Sequence, residues 1–213
     1  MRRLLYVPII HDEADLGSAG KALREKSAAL SGEWRWTLHQ ETVGGFWDEV
    51  AAYLRSFAPH RLKVYQDGLA ADGEMGRRIV EEAARRGSRN YRLVLDMLHR
   101  GAELRKTEDP TLLLLERESI LRPSPDSERL GLMHQRDGFI AETIGATLKE
   151  GEVGVLFIGA SHDVASRLAP DISVEMVKDP EQVQVYFNEL LRGREDSELE
   201  KLARYMRSPI GGQ

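Results

Sequence analysis

Residues 153–163 read VGVLFIGASHD, an apolar run that ends at Gly159 and is followed by a histidine and an aspartate. The run from Val153 to Ile158 is the clearest strand in the chain, and its composition is typical of a strand in the middle of a sheet. In parallel α/β sheets, ligands bind beyond the carboxyl ends of the strands. The stretch therefore predicts a buried strand, and it predicts that a functional site begins at Gly159.

Three further strands are predicted, at residues 4–10, 61–66 and 172–177. Helices are predicted at residues 21–30, 43–57, 74–86, 89–104, 111–121, 127–149 and 180–191. Strands separated by helices indicate an α/β fold with a mostly parallel central sheet of about four or more strands flanked by helices. Residues 74–149 form a large helical insertion between strands two and three. We expect one α/β domain over residues 1–193 and a charged helical tail over residues 194–213.

The composition narrows the class of protein. The chain has 213 residues and a formal net charge of -5, which disfavours non-specific binding to nucleic acid. It has no cysteine, which excludes disulfides, thiolate metal sites and a cysteine nucleophile. No apolar stretch approaches the ~20 residues that cross a bilayer. We expect a cytoplasmic protein that acts on a small molecule or peptide, with neither nucleic acid nor membrane as a partner.

Polar residues follow three of the predicted strands. They are His11, Asp12, Glu13 and Asp15 after the first, Gln66 and Asp67 after the second, and Ser161, His162 and Asp163 after the third. Histidines and carboxylates that meet at one edge fit a divalent metal with nitrogen and oxygen ligands. The alternatives are a solvated loop or helix N-terminal charges for Asp12, Glu13 and Asp15, and a turn residue for Asp67 before Gly68.

Other features have structural interpretations. Arg136 and Asp137 lie near the start of a long helix, where the simplest interpretation is a solvent-facing pair. The leucines at 112–115 are expected to be core, and no role is assigned to the remaining histidines, which are expected on the surface or on helix faces: His39, His60, His99 and His134. An exposed aromatic patch for a partner or a second copy of the chain is a further hypothesis, formed by Trp34, Trp36, Phe46 and Trp47.

The segment QRDGFIAE at residues 135–142, together with the strand and Gly159-Ala160-Ser161-His162 after it, resembles the C-terminal half of the TraB/TIKI-like superfamily. That group also takes in erythromycin-esterase-like and ChaN-like haem-binding proteins. Its pattern is an Arg-Asp pair on a helix, then a strand that ends in Gly-x-x-His. An early strand of the superfamily also ends in Gly-x-x-His; the counterpart here is Pro8-Ile9-Ile10-His11, with proline in place of glycine. The resemblance covers about the first dozen residues and residues 136–177.

The resemblance implies that His11 and His162 are the two motif histidines and that Arg136 reaches towards the site. TIKI-like members are described as metal-dependent proteases, and other members hydrolyse small molecules or bind haem. The first hypothesis is therefore a divalent-metal-dependent hydrolase.

The predicted roles in that hydrolase fall into three groups. His11, Glu13, Arg136 and His162 are catalytic, with Glu13 as a ligand or base and Arg136 as a stabiliser of developing negative charge. His11, His162 and Asp163 bind the metal, and Gly159 and Ser161 contact the ligand. The alternative is a non-catalytic protein that binds haem, a nucleotide-like ligand or a small anion.

Overall fold

The computed structural model of the chain describes residues 1–12, 15, 24–25, 33–122, 125–192 and 196–211. Its strands are β1 (Arg2–Ile9), β2 (Leu62–Gln66), β3 (Glu103–Arg105), β4 (Val153–Gly159) and β5 (Ile172–Met176). Its helices are α1 (Glu33–Leu54), α2 (Gly73–Arg85), α3 (Arg89–His99), α4 (Pro110–Leu121), α5 (Asp126–Thr147), α6 (Pro180–Arg192) and α7 (Asp196–Met206). The helix expected at residues 21–30 lies almost wholly outside the described residues.

The strands form one parallel sheet in the order β3-β2-β4-β1-β5. This confirms the predicted α/β class and its parallel sheet. In the register, Ile9 of β1 lies opposite Gly159 of β4, and Gln66 of β2 lies opposite Phe157. The carboxyl ends of β1, β2 and β4 therefore meet at one edge, which brings the residues after each strand close together.

The insertion between the second and third predicted strands differs from its prediction in one element. The helix expected over residues 89–104 ends at His99, and residues 103–105 form the edge strand β3 beside β2. The change of direction occurs at Gly101, whose φ of 103° is one that residues with a Cβ rarely adopt. The insertion therefore adds a strand to the sheet as well as helices.

The two faces of the sheet carry separate cores, because successive side chains of a strand point to opposite sides. On one face, Leu5 and Val7 pack with apolar residues of α1, α2, α3, α6 and α7. On the other face, Leu4 and Tyr6 pack with α5 through Ile140 and its neighbours. The face covered by α5 matters most for the site, since α5 carries Arg136 and Asp137.

Helix α1 begins earlier than predicted and includes the aromatic residues that were expected to form an exposed patch. Trp36, Phe46 and Trp47 are buried in the interior, and only Trp34 is substantially exposed, at 38%. The hypothesis of an aromatic docking patch is therefore wrong. An amphipathic helix buries its apolar side chains when other helices cover them, and α7 does so here.

Helix α7 lies within the segment expected to be a charged tail. Its buried side chains, Leu199, Leu202, Ala203 and Met206, belong to the core that contains Leu5 and Val7.

Among the helices of the described ranges, none has both the length and the apolar composition of a membrane-spanning segment.

Gly154 in the middle of β4 provides a test of how tightly the sheet packs. A Cβ at this position would lie 2.6 Å from Leu4 Cδ1 and 3.3 Å from Leu148 Cδ2. We expect Gly154→Ala to lower the free energy of unfolding by about 1–3 kcal/mol, because overpacking forces the neighbours to move. Chemical denaturation monitored by circular dichroism measures this change.

The matched control is Gly131→Ala in α5, where an added Cβ meets no described atom within 4 Å. This substitution should stabilise the protein by up to about 1 kcal/mol, since alanine favours a helix more than glycine does. Equal stability of the two variants would contradict the close approach of Leu4 to Gly154.

Candidate functional site

Arg136 is the centre of a buried charge cluster at the carboxyl edge of the sheet. Its Nε and Nη2 donate to the two carboxylate oxygens of Glu108, at 3.0 and 2.7 Å. Nη2 also donates to Asp67 Oδ1 at 2.8 Å, and Nη1 donates to both oxygens of Glu116, at 2.8 and 2.9 Å. We call Arg136, Asp67, Glu108 and Glu116 the arginine cluster.

The solvent-facing interpretation of Arg136 and Asp137 is wrong. The two residues are 6% and 0% exposed. Burial by itself lowers the pKa of Arg136, but the hydrogen bonds and charges of its three carboxylate partners outweigh it and raise the pKa. Every guanidinium nitrogen donates to a carboxylate, so the predicted role of Arg136 as a stabiliser of developing negative charge would compete with these hydrogen bonds. Arg136 is arranged to hold those carboxylates in place.

Glu108 is the most deeply buried carboxylate of the arginine cluster, with no exposed surface. It lies between β3 and α4, and its Oε1 also accepts a hydrogen bond from the Gly68 N–H at 3.2 Å. Burial raises the pKa of Glu108, and the hydrogen bond from Arg136 opposes that rise. Sequence reasoning missed this residue, because its partner Arg136 lies 28 residues later in the chain and no local pattern marks the contact.

His162 and Asp137 form a second, adjoining pair. The Nδ1 of His162 lies 2.5 Å from Asp137 Oδ1, and the backbone N–H of Asp163 donates to Asp137 Oδ2 at 3.1 Å. The other ring nitrogen, Nε2, lies 3.8 Å from Asp67 Oδ2, which is beyond direct hydrogen-bond distance. The carboxylate of Asp137 therefore fixes the orientation of the imidazole, and Nε2 faces the arginine cluster.

The carboxylates around His162 shift its titration. Burial by itself lowers the pKa of His162, but the hydrogen bond with Asp137 and the charges of Asp67 and Asp137 outweigh it, so that the pKa is raised above 6.5. Burial by itself raises the pKa of Asp137, but its hydrogen bonds with His162 and the Asp163 N–H lower it below 3.8. Both shifts favour the charged forms, an imidazolium on His162 and a carboxylate on Asp137.

Gly159 lies beside both groups. Its N–H donates to Asp67 Oδ2 at 3.1 Å. A Cβ at this position would lie 3.4 Å from both Asp67 Oδ2 and His162 Cδ2, which is ordinary van der Waals contact. The end of β4 therefore joins the site through its backbone N–H, which holds the carboxylate of Asp67.

His11 lies on the wall of a cavity of about 390 Å³ at the ends of β1 and β2. We call this the strand-end cavity. Its wall is formed by Ile9, His11, Asp15, Gln66, Asp67, Ile79, Glu82, Ala83, Arg86, Ser88, Asn90 and Tyr91. The Oδ2 of Asp15 lies 3.9 Å from His11 Nδ1. Asp67 belongs to both the cavity wall and the arginine cluster, so it connects the side of His11 with that of His162.

The side chains of two other predicted site residues, Ser161 and Asp163, do not contact the arginine cluster or His162 among the hydrogen bonds of the described residues. Asp163 uses its carboxylate to accept a 2.7 Å hydrogen bond from the Ser166 hydroxyl in the next turn, and Ser161 is exposed. Glu13 lies outside the described residues. Across the ranges that the structure describes, no group of three or more histidine, aspartate or glutamate side chains is arranged to hold a metal ion.

Two further expectations are corrected. His39 is buried rather than on the surface: its Nδ1 lies 3.0 Å from the Tyr186 hydroxyl, and burial lowers its pKa to about 4. The leucines at 112–115 are not core, since Leu114 and Leu115 are 60% and 40% exposed. Helix α4 instead uses Glu116 to reach Arg136.

The arginine cluster makes a prediction about stability. Arg136→Met should lower the free energy of unfolding by about 3–5 kcal/mol at neutral pH, because it leaves Glu108 buried without its cation. Adding Glu108→Gln to this variant should recover part of the loss. Urea denaturation of the single and double variants measures both effects.

Arg78→Met is the control, because Arg78 pairs with Glu74 on the exposed surface of α2. Its effect should stay below about 1 kcal/mol. An Arg136→Met variant as stable as Arg78→Met would contradict the cluster.

The raised pKa of His162 predicts a pH-dependent contribution to stability. A group whose pKa is higher in the folded state stabilises the fold fully below its unfolded pKa, and this stabilisation is lost as the pH rises through the folded pKa. The loss in unfolding free energy caused by His162→Gln should therefore be larger near about pH 6 than near about pH 9. Denaturation of both proteins across this range measures it, and a loss that grows with pH would contradict the arrangement.

Comparisons of the chain with protein-family models, with curated proteins and with solved structures found no match. A function is therefore inferred from the geometry of Arg136, Asp137, His162 and Asp67.

Proposed function

We propose that the protein is a hydrolase of a small molecule in which His162, oriented by Asp137, transfers protons at the carboxyl edge of the sheet. The observation that carries this proposal is the 2.5 Å contact between His162 Nδ1 and Asp137 Oδ1, which leaves Nε2 as the nitrogen that exchanges protons. A buried carboxylate behind a histidine fixes its tautomer and stabilises the imidazolium that forms during proton transfer.

The chemistry follows from the two ring nitrogens. In its neutral form, His162 removes a proton from water through Nε2 while the water oxygen bonds to the electrophilic atom of the substrate. The resulting imidazolium donates the same proton to the leaving group as the scissile bond breaks. Asp67 Oδ2 lies 3.8 Å from Nε2, and Asp67 also lines the strand-end cavity, so we place the substrate in that cavity with its reacting atom beside Asp67 on the side of Nε2.

The divalent cation remains a prediction. In the described residues, two pairs of possible donor atoms face each other near the cavity, since Glu108 and Glu116 are bound to Arg136: His162 Nε2 with Asp67 Oδ2, and His11 Nδ1 with Asp15 Oδ2. Neither pair supplies the three protein ligands of a resident metal. The proposed chemistry is therefore written without a metal, and metal analysis of protein purified without a nickel column tests the prediction.

The alternative of an anion- or haem-binding protein has less support from the charges. Asp67, Glu108, Glu116 and Asp137 supply four carboxylates, against one guanidinium and one imidazole. An excess of carboxylates repels anions such as phosphate and the propionates of haem. A haem that produced a Soret band on titration would favour the alternative.

The resemblance to the TraB/TIKI-like superfamily adds support, although it stays a proposal. Arg136, Asp137 and His162 belong to its two C-terminal motif segments. Here His162 pairs with Asp137, and Asp67 lies between His162 and Arg136. His11 is the counterpart of the early motif histidine, and it lies on the cavity wall. The proposal therefore keeps His11 as a residue that contacts the substrate.

The proposal is tested with a panel of chromogenic esters, amides and phosphoesters. We expect the wild-type protein to hydrolyse at least one class, and His162→Gln to lower kcat/KM at least 100-fold, as removal of a general base does. Asp137→Asn should also lower kcat/KM and should shift the pH profile to lower pKa, because the carboxylate that raises the pKa of His162 is gone.

His134→Gln is the matched control, since His134 is exposed on the same helix as Asp137. It should keep wild-type activity. The proposal fails if no class of substrate is hydrolysed, or if His162→Gln retains activity within twofold of the control.

A further inference from the structure

The side chain of Tyr6 contacts the loop that carries His162. Tyr6 lies on β1, is 1% exposed and packs in the core that α5 covers. Its hydroxyl donates to the backbone carbonyl oxygen of His162 at 3.0 Å. The two residues are 156 positions apart in the chain. They meet because β1 and β4 are parallel neighbours in the sheet, with Tyr6 opposite Leu156.

The Tyr6 hydroxyl remains a hydrogen-bond donor over a wide pH range. A carbonyl oxygen can only accept, so the contact needs the proton of the phenol. Burial, together with the charges of Asp137 and Asp163, raises the pKa of Tyr6 above its ordinary value. Within the described residues, Tyr6 is not part of the wall of the strand-end cavity. Any influence of Tyr6 on a substrate in that cavity therefore passes through His162.

The peptide group between His162 and Asp163 is held from both sides. Its carbonyl oxygen accepts from the Tyr6 hydroxyl, and its N–H donates to Asp137 Oδ2 at 3.1 Å. A trans peptide is planar, with its C=O and N–H pointing in opposite directions. Two hydrogen bonds on opposite sides of one plane fix its orientation, because a rotation of the plane lengthens both.

The orientation of this peptide matters for the imidazole. The carboxylate of Asp137 contacts the backbone N–H of Asp163 through Oδ2 and the Nδ1 of His162 through Oδ1. Both contacts form together only while the loop keeps its position over Asp137. Without the Tyr6 hydroxyl, the peptide is held on the Asp137 side alone. The backbone of His162 can then shift, and the contact between Nδ1 and Oδ1 loosens.

We propose that Tyr6 is a positioning residue for His162. Its hydroxyl fixes the peptide after His162, so that Nδ1 stays on Asp137 and Nε2 faces Asp67. The inference rests on the proposed hydrolase for its effect on rate, whereas its effect on the histidine pair is independent of any activity. A displacement of about 1 Å in a reacting group can lower a rate about 100-fold, so a residue behind the histidine can control proton transfer.

The test compares two substitutions that each remove one buried hydroxyl. Tyr6→Phe keeps the ring and deletes the contact with His162. Tyr65→Phe is the matched control, because Tyr65 is 0% exposed, packs in the same core and pairs its hydroxyl with Thr147 Oγ1 at 2.8 Å. Each variant loses one hydrogen bond, so both should lower the Tm by similar amounts. A purely structural role for Tyr6 predicts that the two variants also agree in every other measurement.

The first measurement is the pKa of His162, followed by proton NMR in the presence of EDTA so that no cation competes with the proton. The chain has six histidines, and the signal that is missing from His162→Gln identifies His162. Neither tyrosine variant removes the charged groups that act most strongly on His162, which are Asp137, Asp67 and Arg136. We expect Tyr6→Phe to lower the pKa of His162 by about 0.5 or more, and Tyr65→Phe to change it by less than about 0.2.

The second measurement is the separation of kcat from KM on a substrate that the wild type hydrolyses. Tyr6→Phe should lower kcat about tenfold or more and keep KM within about twofold, because the position of His162 changes and the cavity wall does not. Tyr65→Phe should keep both values. In the Asp137→Asn background, Tyr6→Phe should shift the pKa of His162 less than in the wild type, since the contact that it protects is already weakened.

The proposal is overturned if Tyr6→Phe leaves His162 with the same pKa as Tyr65→Phe does, or if the effects of Tyr6→Phe and Asp137→Asn on that pKa add. A Tyr6→Phe protein that fails to fold where Tyr65→Phe folds shows a structural role and also overturns it. If the pKa falls as expected while the wild type hydrolyses no substrate, the hydrolase fails and the positioning role stands. If hydrolysis depends on His162 but Tyr6→Phe changes neither pKa nor kcat, the positioning role alone fails.

Discussion

Arg136 carries a full positive charge into the interior, where three carboxylates surround its guanidinium. The desolvation of one guanidinium and of the fully buried Glu108 is costly unless the ions pair with good geometry. The paired hydrogen bonds from Arg136 to Glu108 supply that geometry and join the β3–α4 segment to α5. The arrangement of the carboxyl edge therefore depends on this single side chain.

Asp67 transmits that arrangement to the rest of the site. One of its oxygens accepts from Arg136, and the other accepts from the Gly159 N–H and lies near His162 Nε2. The same residue lines the strand-end cavity. Asp67, in the turn after β2, thus connects the arginine cluster, the pair of His162 and Asp137, and the strand-end cavity. Its position follows from the register, which places the end of β2 beside the end of β4.

The histidine pair and the cavity have different chemical characters. Asp137 stabilises the charged form of His162, which is the property that proton transfer needs. The cavity wall instead carries the neutral side chains of Gln66 and Asn90 beside the carboxylates of Asp15, Asp67 and Glu82. The two groups of residues meet at Asp67.

The sequence by itself determined the α/β class and predicted a candidate site after β4, because an apolar run that ends in Gly159 and His162 carries both signals locally. It also predicted four of the five strands, and it missed β3 because helical spacing continued past Gly101. Only the tertiary structure decided the partners: Glu108, Glu116 and Asp67 lie 28, 20 and 69 residues before Arg136 in the chain. Such contacts depend on strand order and on which face α5 covers. The spacing of residues along the chain indicates neither the strand order nor the face that α5 covers, because it reflects local periodicity and not which distant segments become neighbours.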